Sequence, residues 1–83
     1  MRHLLNTLFV TSEDLYLSLN GENVVASRGQ EVVARYPLHT LSGVISFAYL
    51  GASPALMGAC VKRGIALSFC TPRGRFLARV CGA

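Results

Sequence analysis

The side chains able to do chemistry in this sequence are mostly cationic. Arg73 lies in a Thr-Pro-Arg-Gly turn signal, and Arg75 and Arg79 follow on an alternating segment, so three guanidiniums project from one expected hairpin. Arginine forks bind phosphate oxygens well, and that spacing suits successive backbone phosphates. It suits equally an edge strand kept from aggregating by charge, and pattern alone does not separate the two. Lys62 and Arg63 close an apolar segment. There they either stabilise the negative end of a helix dipole or join the same ligand surface. The acidic residues Glu13, Asp14, Glu22 and Glu31 all precede residue 32. The first 31 residues therefore carry a charge of −2 and the remaining 52 a charge of +6. An acid-free half attracts a polyanion, because field strength depends on local rather than net charge. Ordinary solubilising charge is the plainer reading of the same residues.

Other chemistries have little footing. The sequence contains no phosphate-binding glycine loop, no nucleophile elbow and no paired-histidine zinc motif. Glu13 and Asp14 are adjacent and point to opposite faces of a strand. His3 and His39 have no acidic or cysteine neighbour at ligand spacing, and His39 is expected to donate to a backbone carbonyl at a strand end. Cys60, Cys70 and Cys81 are widely spaced among apolar residues, and read as buried structural thiols rather than a disulfide or a metal site. The pattern predicts no independent enzyme.

Composition asks where the apolar side chains go. The 83 residues are 52% hydrophobic and 14% charged, against about 25% charged in an average soluble chain. A domain this small buries only roughly 60% of its unfolded surface. The surplus belongs either in a membrane or against a partner. From Tyr36 to Val61 there is no charged residue, but Pro37, Gly51 and Pro54 break the run into pieces too short to cross. The first twelve residues lack a cleavage site of the signal-peptide kind. The expectation is a cytoplasmic chain with no membrane segment, hiding apolar surface against a partner.

Periodicity supplies the scaffold for the cations. Leu15, Leu17 and Leu19 alternate as on a half-buried strand, and Asn20-Gly21 is a tight-hairpin signal. Strands are expected at residues 4–10, 14–20, 24–26, 32–36, 44–49, 65–70 and 75–80, with everything before residue 50 antiparallel. One helix is expected over residues 54–63, with Ser53 as N-cap, Pro54 in the first turn and Gly64 ending it. Its apolar surface predicts burial on more than one side, with Gly58 marking close backbone packing. Within the last strand, alternation puts Phe76, Ala78 and Val80 on one face and Arg75, Leu77 and Arg79 on the other. The fold class is mainly β: about seven short strands in two small packed sheets, plus the helix.

The order of these motifs resembles a known family. The stretch from Tyr16 to Val25 resembles the first hairpin of the CRISPR-associated adaptation integrase, the universal first Cas protein. So do Pro37-Leu38-His39 running into Gly43-Val44-Ile45-Ser46-Phe47, the string Gly51-Ala52-Ser53-Pro54-Ala55-Leu56-Met57, and the stretches 64–69 and 74–80. Together they look like the subtype I-C branch. The resemblance runs almost end to end, but covers only that family's N-terminal β domain. It implies a parent that is a metal-dependent DNA endonuclease and integrase inserting spacers into a CRISPR array in antiviral defense. The divalent metal, magnesium or manganese, would sit in a helical catalytic domain outside residues 1–83, so no cofactor is expected in this chain. His39 does not correspond to that family's metal histidine. The implied partners are a second copy in a homodimer, double-stranded DNA, the small second adaptation protein and, in some subtypes, an iron–sulfur CRISPR nuclease. Arg73, Arg75, Arg79, Lys62 and Arg63 are the expected DNA-contacting residues. A purely structural dimerisation domain and a free-standing nucleic-acid-binding β module remain the alternatives.

Overall fold

Gly21 takes a φ of +62° as the first residue of a two-residue turn between paired Asn20 and Asn23, a left-handed value that glycine adopts without strain. The computed structural model describes residues 2–4 and 6–82, with side chains from residue 6 onward. In chain order the described elements are β1 (Arg2–Leu4), β2 (Thr7–Val10), β3 (Tyr16–Asn20), β4 (Asn23–Arg28), β5 (Glu31–Pro37), β6 (Gly43–Ser46), α1 (Pro54–Arg63), β7 (Ala66–Cys70) and β8 (Phe76–Arg79). A single 3-10 turn, Leu38–Thr40, joins β5 to β6. The strands form a five-stranded sheet in the order β1-β2-β6-β7-β8 and a three-stranded meander β3-β4-β5. The expected mainly-β fold with one helix is what forms.

Three features depart from the expectation. The strand expected at residues 4–10 is a hairpin, with β1 and β2 antiparallel across a turn at Asn6; Leu5 lies outside the described residues. The 3-10 turn carries His39, exposed, where a strand-end hydrogen bond was expected. More consequentially, β6 runs parallel to both its neighbours: Thr7 pairs with Gly43, and Val44 with Leu67. Parallel neighbours need a crossover connection. Here the whole three-stranded meander is the crossover from β2 to β6, and α1 is the crossover from β6 to β7. The Asn6 carbonyl accepts from the Ser42 and Gly43 N–H groups at 2.7 and 3.3 Å, which starts the parallel ladder.

The core lies where both sheets meet α1. Leu8, Val10, Val44 and Leu67 come from the larger sheet, Leu17, Val24 and Ala26 from the smaller, and Leu56 and Cys60 from the helix, all fully buried. The link between the sheets is backbone as well as side chain. The Leu17 N–H donates to the Gly51 carbonyl at 3.1 Å, and the Leu17 carbonyl accepts from the Ser53 N–H at 2.8 Å. These bonds close the outer edge of β3 and hold Ser53 where α1 begins.

The helix ends where the sequence marks them. The Ser53 hydroxyl accepts from the Leu56 N–H at 3.2 Å, Pro54 opens the first turn, and Gly64 takes a φ of +70° while Ile65 N–H returns to the Cys60 carbonyl. Burial is one-sided, however. Leu56 and Cys60 face the core while Gly58 is exposed, with open space where a Cβ would stand. Ala55 and Gly58 are small rather than inward-facing, and small uncharged residues read as buried in a sequence. Replacing Ser53 with alanine removes the cap and should cost about 1 kcal/mol, lowering the melting temperature followed by circular dichroism by about 4–8 °C. An unchanged melting temperature would show that the cap bond contributes nothing.

Candidate nucleic-acid interface

The five expected contact residues fall into two groups. Arg73 and Arg75 belong to the β7–β8 turn, which the Thr71 N–H and hydroxyl hold closed by bonds to the Arg75 carbonyl and N–H at 2.7 and 3.0 Å. Arg79 stands at the far end of β8, opposite Ser68. Arg75 and Arg79 are four positions apart, at most about 13 Å at 3.3 Å per residue, which corresponds to at most about four base steps along a duplex axis. Arg79 lines a shallow cleft of about 320 Å³ together with Val61 and Gly64, so it neighbours the end of α1 that carries Lys62 and Arg63. The fold thus separates Arg79 from Arg73 and Arg75 and associates it with the helix terminus.

Alternation along β8 also differs from the expected two faces. The register shifts between Phe69 and Cys70, so that Ala78 and Phe76 are paired and Leu77 is the extra, bulged residue. Every residue of β8 is exposed, Phe76 among them. A bulge leaves no mark in residue type, so strict alternation misassigned these faces.

Ion pairing decides which cations are available. The Arg63 guanidinium pairs with the Glu22 carboxylate, joining the end of α1 to the β3–β4 turn. Arg28 donates to Asp14 at 2.5 Å. The hydrogen bond from Arg28 holds the Asp14 carboxyl below its usual range, and the same contact raises the Arg28 pKa. Among the described residues, Lys62, Arg73, Arg75 and Arg79 make no ion pair. Arg63 is the one expected contact residue whose charge is already matched. This pairing brings Glu22 to a residue far along the chain, and no local spacing signals it.

The remaining reactive side chains do not assemble a centre. Among the described residues no three His, Cys, Asp or Glu side chains come together, so these residues offer no donor set for the divalent metal that the resemblance implies for a catalytic domain. The cysteines divide into three environments: Cys60 is buried, Cys70 half-buried and Cys81 exposed. The expectation of three buried thiols holds for Cys60 alone, since Cys70 and Cys81 lie toward the open edge of the larger sheet. No helix among the described residues is long and apolar enough to cross a membrane.

A family model described as CRISPR associated protein Cas1 matches residues 8–83. The chain belongs to the Cas1 family. Two curated Cas1 relatives, CRISPR-associated endonuclease Cas1 1 of Chlorobaculum tepidum and CRISPR-associated endonuclease Cas1 2 of Rhodospirillum rubrum, are each 44% identical over 82 residues. Those alignments take in 99% of this chain but 24% of either relative, so the chain spans about a quarter of their length. Its fold is similar to that of a chain in the solved partial Cas6-RT-Cas1–Cas2 complex, with a TM-score of 0.79 at 13% identity over 93% of this chain and 23% of that one.

The cysteine environments of this Cas1-family chain give a direct test. Burial pushes the Cys60 thiol pKa up, which leaves less of the reactive thiolate. In native buffer a disulfide reagent should modify Cys81 first, Cys70 more slowly, and Cys60 only after denaturant is added. Simultaneous fast labelling of all three thiols would contradict the burial of Cys60.

Proposed function

We propose that residues 1–83 are the N-terminal β domain of a subtype I-C-like CRISPR adaptation integrase, serving homodimerisation and sequence-independent contact with duplex DNA. Catalysis and its divalent metal belong, in this reading, to the part of the relatives that the chain does not span. The small second adaptation protein is the partner outside the dimer, in keeping with the Cas1–Cas2 complex from which the similar fold comes, and an iron–sulfur nuclease is a further one. The setting is cytoplasmic.

One observation carries the DNA assignment: Lys62, Arg73, Arg75 and Arg79 are exposed cations that make no ion pair among the described residues, and no acidic side chain follows Glu31 in the sequence. Guanidiniums released from internal pairing bind phosphate at the expense of counterions, so affinity falls steeply with salt. Arg63 adds to this surface only by exchanging Glu22 for phosphate. For the dimer, β5 is the supporting element. It pairs on one side with β4, and its Val32 and Val33 are exposed at a bulge. An exposed apolar edge invites pairing with another strand.

Fluorescence anisotropy with a labelled 25-base-pair duplex tests the DNA reading. Changing Arg73, Arg75 and Arg79 together to alanine should weaken binding and flatten the salt dependence by about 0.9 per lost phosphate contact. The same duplex should stay uncut with magnesium or manganese. Equal affinity and slope in the triple variant, or cleavage by the pure chain, would overturn the corresponding assignment.

For the dimer, sedimentation velocity of the chain with Val32 and Val33 both changed to lysine should show the monomer where the parent chain shows the dimer. A variant that keeps the dimer's sedimentation coefficient would remove β5 from the interface.

A further inference from the structure

A phosphate-binding role leaves the apolar residues beside the arginines unexplained. Beside β8 lies an open groove of about 370 Å³, lined by Leu50, Ala52, Met57, Phe69, Cys70 and Leu77. Three of its lining residues project into solvent: Tyr49 is 74% exposed, Leu77 60% and Leu50 56%. Contiguous apolar surface of this kind marks an interaction site. The bulge supplies Leu77 to this groove, and β8 itself is an edge strand, paired with β7 on one side only. Its other edge therefore offers backbone N–H and carbonyl groups to an added strand.

Charge identifies what such a strand would be. Thr71 lines the groove and closes the turn holding Arg73 and Arg75, while Arg79 ends the strand, so cations bracket the apolar stretch at both ends. A second β8 edge would bring arginines against arginines, which opposes self-pairing. Nucleic acid would use the guanidiniums but gain nothing from an aliphatic groove. An extended peptide with carboxylates flanking an apolar residue satisfies both: main-chain bonds give affinity and the groove selects a side chain. Glu13, whose carbonyl accepts from the Tyr49 N–H, borders the opposite rim and leaves the acidic preference to the hairpin side. We propose that the free edge of β8 and the groove at Leu77 form a docking site for an acidic, extended peptide segment of a partner protein. The peptide adds antiparallel or parallel to β8, seats one apolar side chain against Leu77, Met57 and Phe69, and pairs its carboxylates with Arg75 and Arg79.

The test uses the 83-residue chain and a fluorescein-labelled octapeptide alternating glutamate with leucine. Saturable binding by anisotropy is expected, together with slowed amide hydrogen exchange across Phe76–Arg79. Leu77→Ser and, separately, a peptide with its central leucines changed to serine should each weaken binding at least tenfold. The Leu77→Ser variant should bind the 25-base-pair duplex with unchanged affinity. A peptide carrying lysine for glutamate should not bind. Absence of saturable binding, binding insensitive to both serine changes, or equal loss of duplex and peptide affinity in Leu77→Ser would each overturn the proposal. The serine peptide meets the unaltered chain, so that result is independent of any effect on folding. Failure of the duplex assay in the arginine variants bears only on the DNA reading.

Discussion

Two backbone hydrogen bonds at Leu17 hold the architecture together. They tie β3 to the segment 51–53, and so fix the small sheet to the loop that launches α1. Once Ser53 is anchored, its hydroxyl caps the helix, and Leu56 and Cys60 one and two turns on are aimed at the core between the sheets. Helix placement in turn sets the end of α1 beside Arg79 and against Glu22. The charged surface thus takes its arrangement from a neutral backbone bridge.

Local signals in the sequence transferred well to local structure. The Asn20-Gly21 turn, the Ser53 cap with Pro54, and the Gly64 terminus all depend on residues close in sequence, whose conformational preferences act wherever they stand. Alternating leucines placed Leu15 and Leu17 in the core for the same reason. The misreadings are of another kind. Nothing near Thr7 or Gly43 announces that they pair in parallel, because that partnership depends on what the intervening chain folds into. The bulge at Leu77 and the exposure of Gly58 likewise follow from tertiary position rather than residue type.

The candidate surface was legible in its composition and not in its shape. Counting charges isolates an acid-free segment with six cations, and the turn signal at residues 71–74 with the alternation after it groups Arg73, Arg75 and Arg79 among them. Which cations remain available is a question of pairing. Glu22, from the acidic first part of the chain, reaches across to match Arg63, while Asp14 matches Arg28 within its own part. The apolar groove at Leu77 was invisible to periodicity, since its lining comes from a loop, a helix and two strands.

The crossover that joins β2 to β6 bears on how the chain reaches this structure. The β3-β4-β5 meander makes contacts among sequence neighbours, so it can assemble with little loss of chain entropy. The β2–β6 ladder cannot: Thr7 finds Gly43 only after the ends of that meander have been brought together. Non-local parallel pairing is slow for this reason. The small sheet is therefore also a spacer: by folding back on itself it shortens the path between Thr7 and Gly43, the first pair of the parallel ladder in the larger sheet.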